Sequence, residues 1–148
     1  MKYFSFVITI LLITLAGCED NGTLSYRMSA TIDGNSWRTL SPLTVLEEGY
    51  FVITGTSTSG EVINITIKGM STGTYKSSET NCVGLYYYAN QDSNSGYIST
   101  SGTVELTDVN TGAKKISGAF SFLLKKDLSE ETVEISNGVF DNVSYIEY

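Results

Sequence analysis

Beyond residue 25, apolar side chains recur at every second position. Tyr26, Met28, Ala30 and Ile32 alternate with Arg27, Ser29 and Thr31, the period of a strand with one face buried. Trp37 opens a second short strand. Residues 50–54, Tyr-Phe-Val-Ile-Thr, are rich in β-formers and end at Gly55. Over residues 62–68, Ile63, Ile65 and Ile67 face one way and Val62, Asn64, Thr66 and Lys68 the other. Residues 84–89 carry Leu85 and three consecutive tyrosines, and residues 103–109 set Val104 and Leu106 against Thr103, Glu105 and Thr107. Ile116, Gly118, Phe120, Phe122 and Leu124 form a long alternating face, followed by residues 132–136 with Val133 and Ile135, and by residues 139–146.

Turn formers separate these runs: Asp33-Gly34-Asn35, Ser59-Gly60, Ser71-Thr72-Gly73, Asn94-Ser95-Gly96, Asn110-Thr111-Gly112 and Asn137-Gly138. Asn-Gly between two strand patterns predicts a two-residue hairpin at Asn137-Gly138. No 11-residue window after the leader has helical periodicity, and the chain holds 14 glycines and one proline. The expected fold is all-β: an antiparallel β-sandwich or flattened barrel of roughly 8–10 strands, preceded by a helical signal peptide. Neither a linker nor an internal repeat is visible, so residues 25–148 read as a single β domain.

The first 17 residues follow a different rule. Lys2 gives a short positive region, and residues 3–16 are apolar except for Ser5, Thr9 and Thr14. That run of 14 residues falls short of the roughly 20 a membrane-spanning helix needs. With Ala16 and Gly17 at its end it reads as a secretory signal peptide over residues 1–17. Leu15-Ala16-Gly17-Cys18 resembles the lipobox of bacterial lipoproteins. The resemblance implies a thioether to diacylglycerol on Cys18, cleavage before it, and acylation (palmitate, for example) of the freed amine. Each buried methylene adds about 0.8 kcal/mol, so two or three chains anchor stably. Residues 18–24 then form an acidic tether. Glu19 and Asp20 resemble surface-export signals of Bacteroidota lipoproteins, or serve as an ordinary solvated linker.

Loss of Lys2 with the leader leaves 8 basic against 16 acidic residues, a net charge of −8. That opposes nucleic acid, which is held by basic phosphate contacts, and a polybasic grip on lipid. With Cys18 lipidated, Cys82 has no partner for an intramolecular disulfide and reads as a small apolar residue. The chain has no histidine, so Ser-His-Asp and Cys-His catalysis and the usual histidine zinc sites are excluded. A carboxylate pair drawn from Glu47, Glu48, Glu61, Glu79, Asp92 and Asp108 could in principle run glycoside hydrolysis. Those acids sit mostly near turns, where solvated acids are the rule. Asp92-Ser93-Asn94-Ser95-Gly96 lacks the remaining ligands of a calcium loop. The expectation is no enzyme, no cofactor and no metal.

The tyrosines are the distinctive feature. Tyr86, Tyr87, Tyr88 and Tyr97 surround one predicted hairpin, with Tyr86 and Tyr88 on one strand face and Tyr87 on the other. Exposed tyrosine offers apolar area with a hydroxyl handle, suited to sugars or protein partners; half-buried tyrosine is also simply a good strand residue.

Four pieces together resemble a family of small Bacteroidota lipoproteins with a β-rich domain of unassigned function: Ala30-Thr31-Ile32-Asp33-Gly34-Asn35-Ser36-Trp37, Gly73-Thr74-Tyr75, Ile116-Ser117-Gly118-Ala119-Phe120-Ser121-Phe122 and Asn137-Gly138-Val139-Phe140. The resemblance implies an exported domain anchored on the outer membrane, on its periplasmic or cell-surface face. It carries over no catalytic residue. Read physically, Trp37 plugs the core or an edge, Gly118 allows close approach or a bulge, and Phe120 and Phe122 fill the core. The expected function is a non-catalytic binding or interaction module at the cell envelope, with a glycan or envelope protein as partner. The alternative is a β-barrel carrier of a small apolar ligand in a cavity lined by Phe120, Phe122 and Tyr87.

Overall fold

The computed structural model describes residues 25–91 and 95–148. The leader, Cys18, the tether up to residue 24, and Asp92, Ser93 and Asn94 of the considered calcium loop lie outside the described residues. The strands are β1 (Met28–Ile32), β2 (Asn35–Thr39), β3 (Leu43–Glu47), β4 (Tyr50–Thr56), β5 (Glu61–Lys68), β6 (Gly73–Lys76), β7 (Cys82–Tyr88), β8 (Tyr97–Asn110), β9 (Lys115–Lys126), β10 (Thr132–Ser144) and β11 (Ile146–Glu147). Ser77–Glu79 forms a single 3-10 turn. The expected all-β class holds, with eleven strands where 8–10 were expected.

All strands belong to one sheet, ordered β11-β3-β4-β5-β7-β8-β9-β10-β1-β2, with β6 paired to β8. The sheet curls into an open half-barrel, so the sandwich alternative gives way to the barrel-like one. Pairing is antiparallel except for β11 on β3, which is parallel. One residue, Tyr145, separates β10 from β11. The same stretch of chain therefore bonds β9 and β1 upstream and β3 downstream, and the Tyr148 amide donates to Leu46 O at 3.1 Å. This stitch draws one edge of the sheet toward β10.

Two tight turns explain two hairpins. Asp33-Gly34 and Glu48-Gly49 each have positive φ at both residues (46° and 83°; 50° and 82°), the type I′ geometry that matches strand twist. Asn137-Gly138 does not turn the chain, in contrast to the expected hairpin. It lies inside β10, where the register with β9 shifts between Ile135 and Gly138. Asn137 takes the left-handed conformation at φ 51°, which asparagine tolerates better than most residues, and the extra residue makes a β-bulge.

Bulges account for the curl. β9 keeps unbroken alternation, with Ile116, Gly118, Phe120, Phe122 and Leu124 all buried. Its neighbours do not. β8 shifts register between Ser99 and Ser101 and again between Leu106 and Asp108. β10 shifts between Ile135 and Gly138 and between Phe140 and Val143. Each bulge flips the buried parity and sharpens the local bend, so the sheet wraps about β9.

The concave side is filled. Phe122 lies against Gly102, its direct partner, and Gly84; Phe140 covers Gly118; Phe120 covers Gly138. A Cβ at Gly84 would fall 2.7 Å from the Phe122 ring, and one at Gly118 2.3 Å from Glu105 O. Rings thus occupy the space that side chains on those strands would otherwise take. Trp37 sits on Gly55 of β4 and joins the β1–β2 hairpin to the same core, so the core-plug reading of that residue holds.

Candidate tyrosine site

The even-numbered face of β7 points into the half-barrel: Cys82, Gly84 and Tyr86 are buried, and Tyr88 emerges at the strand end, 41% exposed. Tyr97 opens β8 directly across from Tyr86. The Tyr86 ring contacts Tyr88 edge-on, with centroids 6.0 Å apart, and Tyr97 at 5.9 Å. These geometries suit aromatic quadrupoles. The structure thus joins Tyr86, Tyr88 and Tyr97 in one cluster at a mouth of the half-barrel. Tyr87 takes the opposite, convex face and stands apart from them.

Acceptors complete the cluster. Tyr86 donates its hydroxyl hydrogen bond to Glu61 Oε1 at 3.0 Å, and Tyr97 to Glu131 Oε2 at 3.1 Å. Glu61 Oε2 accepts from Ser59 at 2.7 Å and Ser57 at 3.3 Å, while Trp37 Nε1 donates to Glu61 O at 3.2 Å. Lys126 lies 3.6 Å from Glu131. Loop ends after β4, β7 and β9 therefore meet at one mouth.

Burial pushes the Tyr86 phenol well above the ordinary tyrosine range, reinforced by the Tyr88 hydroxyl and then by Glu61. Tyr97 moves up in the same way, by desolvation first and then by Glu131, with smaller pushes from Asp33 and Tyr88. Both phenols stay protonated at neutral pH and act as hydrogen-bond donors. Cys82 is 2% exposed and its thiol is also pushed up by burial, partly offset by the Ser77 hydroxyl and the Val104 backbone. It donates to Tyr75 O at 3.4 Å. A buried neutral thiol is a packing residue rather than a nucleophile.

Of the carboxylates weighed from sequence, Glu47, Glu48, Glu79 and Asp108 are exposed, Asp92 is not described, and Glu61 joins the tyrosines. Among the described residues no group of three or more His, Cys, Asp or Glu is placed to hold a metal. The carrier's expected cavity is not lined as proposed: Phe120 and Phe122 pack on glycine backbone, and Tyr87 points to the other face.

Sequence reading did not single out Glu131, Trp37 or the two serines for this cluster, and it treated Glu61 as one acid among six. A signal existed for Glu61. It shares parity with Ile63, Ile65 and Ile67, so its side chain is in phase with the buried face. A charge in phase with an apolar stripe, at the strand's first residue, marks a mouth. Glu131 had no such signal, because its loop position is set by β9–β10 pairing.

Two quoted motifs acquire a structural meaning. Gly118 lies under Phe140 and Gly138 under Phe120, which interlocks β9 with β10, and Phe122 sits on Gly102 of β8. No curated protein and no solved structure matches the chain. Residues 25–144, which hold the half-barrel from β1 to the end of β10, match the family described as Domain of unknown function (DUF6252), and the chain belongs to that family.

Proposed function

We propose that this protein is an exported, lipid-anchored, non-catalytic module of the outer membrane that binds a glycan at the Tyr88 edge of the tyrosine mouth. The carrying observation is the stack of Tyr86, Tyr88 and Tyr97, with two hydroxyls already donated to carboxylates and one ring left open to solvent. An exposed ring beside carboxylate and serine oxygens suits a polyol, which stacks its C–H face and donates its hydroxyls. Glu61, Glu131 and nearby Asp33 make neutral or amino sugars better ligands than acidic ones. A protein partner would want a wider surface, near 800 Å² per side. The leader, the lipobox-like Leu15-Ala16-Gly17-Cys18 and the resemblance to Bacteroidota lipoproteins support the anchor.

Two experiments test this reading. Cys18→Ala should move the protein from the membrane fraction to the soluble one and abolish palmitate labelling; unchanged fractionation would remove the anchor. A glycan array spanning neutral, amino and acidic sugars should show binding by the wild type that Tyr88→Ala loses. Binding to no glycan, or equal binding by the variant, would remove the site.

A further inference from the structure

Both arginines of the chain, Arg27 and Arg38, together with Lys115, line grooves beside the link from β2 to β3, residues 40–42. Two adjacent grooves flank that link and share Leu40 and Ser41. One, of about 260 Å³, is lined by Arg27, Pro42, Lys115 and Asn142; the other, of about 420 Å³, by Tyr26, Arg38 and residues 56–58. Among the described residues no carboxylate lines either groove, in a chain with 16 acids and 9 bases. The acids around them are engaged: Asp141 accepts from Ser117 at 3.1 Å, Glu147 pairs with Lys114 at 3.4 Å, and Glu61 accepts from Ser57 of the larger groove at 3.3 Å and from Tyr86 at 3.0 Å. Arg38 lies 4.6 Å from the Tyr26 ring centroid. Leu40, Leu43 and Ile146 are exposed beside these cations.

This face also lies where the domain begins. Ser25 is seven residues past Cys18, a reach of about 25 Å at most. We infer that the face is the membrane side of the domain and docks on anionic phospholipid headgroups. Arg27, Arg38 and Lys115 meet the phosphates, while Tyr26 and Leu40 enter the interface. The inference rests on the anchor proposed above. The chain's overall negative charge repels such a surface except where its cations face it, so charge asymmetry fixes the orientation. β9 then runs from Lys115 at this face to Lys126, the register partner of Tyr97. Its 12 residues span roughly 35 Å, so the Lys126 end of β9 stands well away from the Lys115 end, while Ser57 of the larger groove reaches the tyrosine cluster through Glu61.

The test uses the full chain, purified from membranes and reconstituted in vesicles of phosphatidylcholine with or without phosphatidylglycerol. Leu40→Cys and, as reference, the fully exposed Leu128→Cys are labelled with a water-soluble maleimide. Cys82 is buried and a lipidated Cys18 has no thiol, so neither competes. On phosphatidylglycerol vesicles Leu40→Cys should react about fivefold or more slowly than Leu128→Cys, the factor one cation contributes at an anionic surface. The slowing should vanish without phosphatidylglycerol and when Arg27→Gln and Arg38→Gln are added. Equal rates on anionic vesicles would overturn the inference. So would slowing that persists on phosphatidylcholine alone, or in detergent without lipid, where a second copy of the chain would be the cover. The intact mass of the same preparation separates the two readings. Lipidated Cys18 with equal rates sinks the docking alone; unlipidated Cys18 sinks the anchor and the docking with it.

Discussion

A tyrosine at the end of a buried stripe must place its hydroxyl, and Tyr86 places it on Glu61. Removing that donor leaves a part-buried carboxylate oxygen short of a partner, so Tyr86→Phe should cost about 1–2 kcal/mol, read as a lower urea midpoint at neutral pH. The same residue predicts alkaline behaviour. Its folded value is raised above the unfolded one of about 10. Its stabilisation is therefore complete below pH 10 and lost as pH rises from there toward the folded value. Tyr86→Phe should flatten the alkaline limb of the stability profile; an unchanged limb would assign that loss to other groups. Thr44 makes the opposite case. It is 1% exposed and its hydroxyl has no partner among the described residues. Thr44→Val keeps the shape and removes the unpaired group, so it should raise stability by about 1 kcal/mol, measured by denaturant unfolding.

Among the elements, the sheet's curvature comes from what interrupts alternation. β1 and β9 were legible because one parity is buried along the strand, and β5 because Ile63, Ile65 and Ile67 share one buried face. β3 was not, because it runs against the rule: Thr44 is inside and Leu43 outside, as its edge position beside β11 allows. β6 and β11 are too short, at four and two residues, to carry a period. Asn137-Gly138 misled because one dipeptide serves two geometries. Flanking strands that stay paired to β9 on both sides make it a bulge, and sequence alone does not show that pairing. Asn137 at φ 51° predicts that Asn137→Val costs about 1–2 kcal/mol, while Asn137→Gly is tolerated; equal loss from both would point to the side chain rather than the backbone. Gly118→Ala should destabilise by about 1–3 kcal/mol through overpacking, because its Cβ would meet backbone at Glu105 O, which cannot swing aside as a side chain can. A thermal melt reads the difference.

For the whole molecule, β9 joins two ends. Its Lys115 end adjoins the start of the domain beside Arg27, and its Lys126 end carries Tyr97, with Lys125 and Lys126 paired to Glu130 and Glu131. The loop after β4 lies between the two sites: Ser57 lines the Arg38 groove and donates to Glu61 of the tyrosine cluster. The tyrosines were visible in the sequence as a count and a spacing, and the split of Tyr87 from Tyr86 and Tyr88 followed from strand parity. Their carboxylate partners come from distant segments, 25 residues away for Glu61 and 34 for Glu131, and only the sheet order brings them together. The central claim is that Tyr88 is the open edge of a glycan site. Titration calorimetry of envelope oligosaccharides into the wild type and into Tyr88→Ala, with Tyr87→Ala as the convex-face control, tests it most directly. Tyr88→Ala should weaken binding about tenfold, near the 1–3 kcal/mol that a stacked aromatic supplies in ring stacking, while the domain stays folded and Tyr87→Ala binds as the wild type does. Equal affinity for wild type and Tyr88→Ala, or loss confined to Tyr87→Ala, would contradict it.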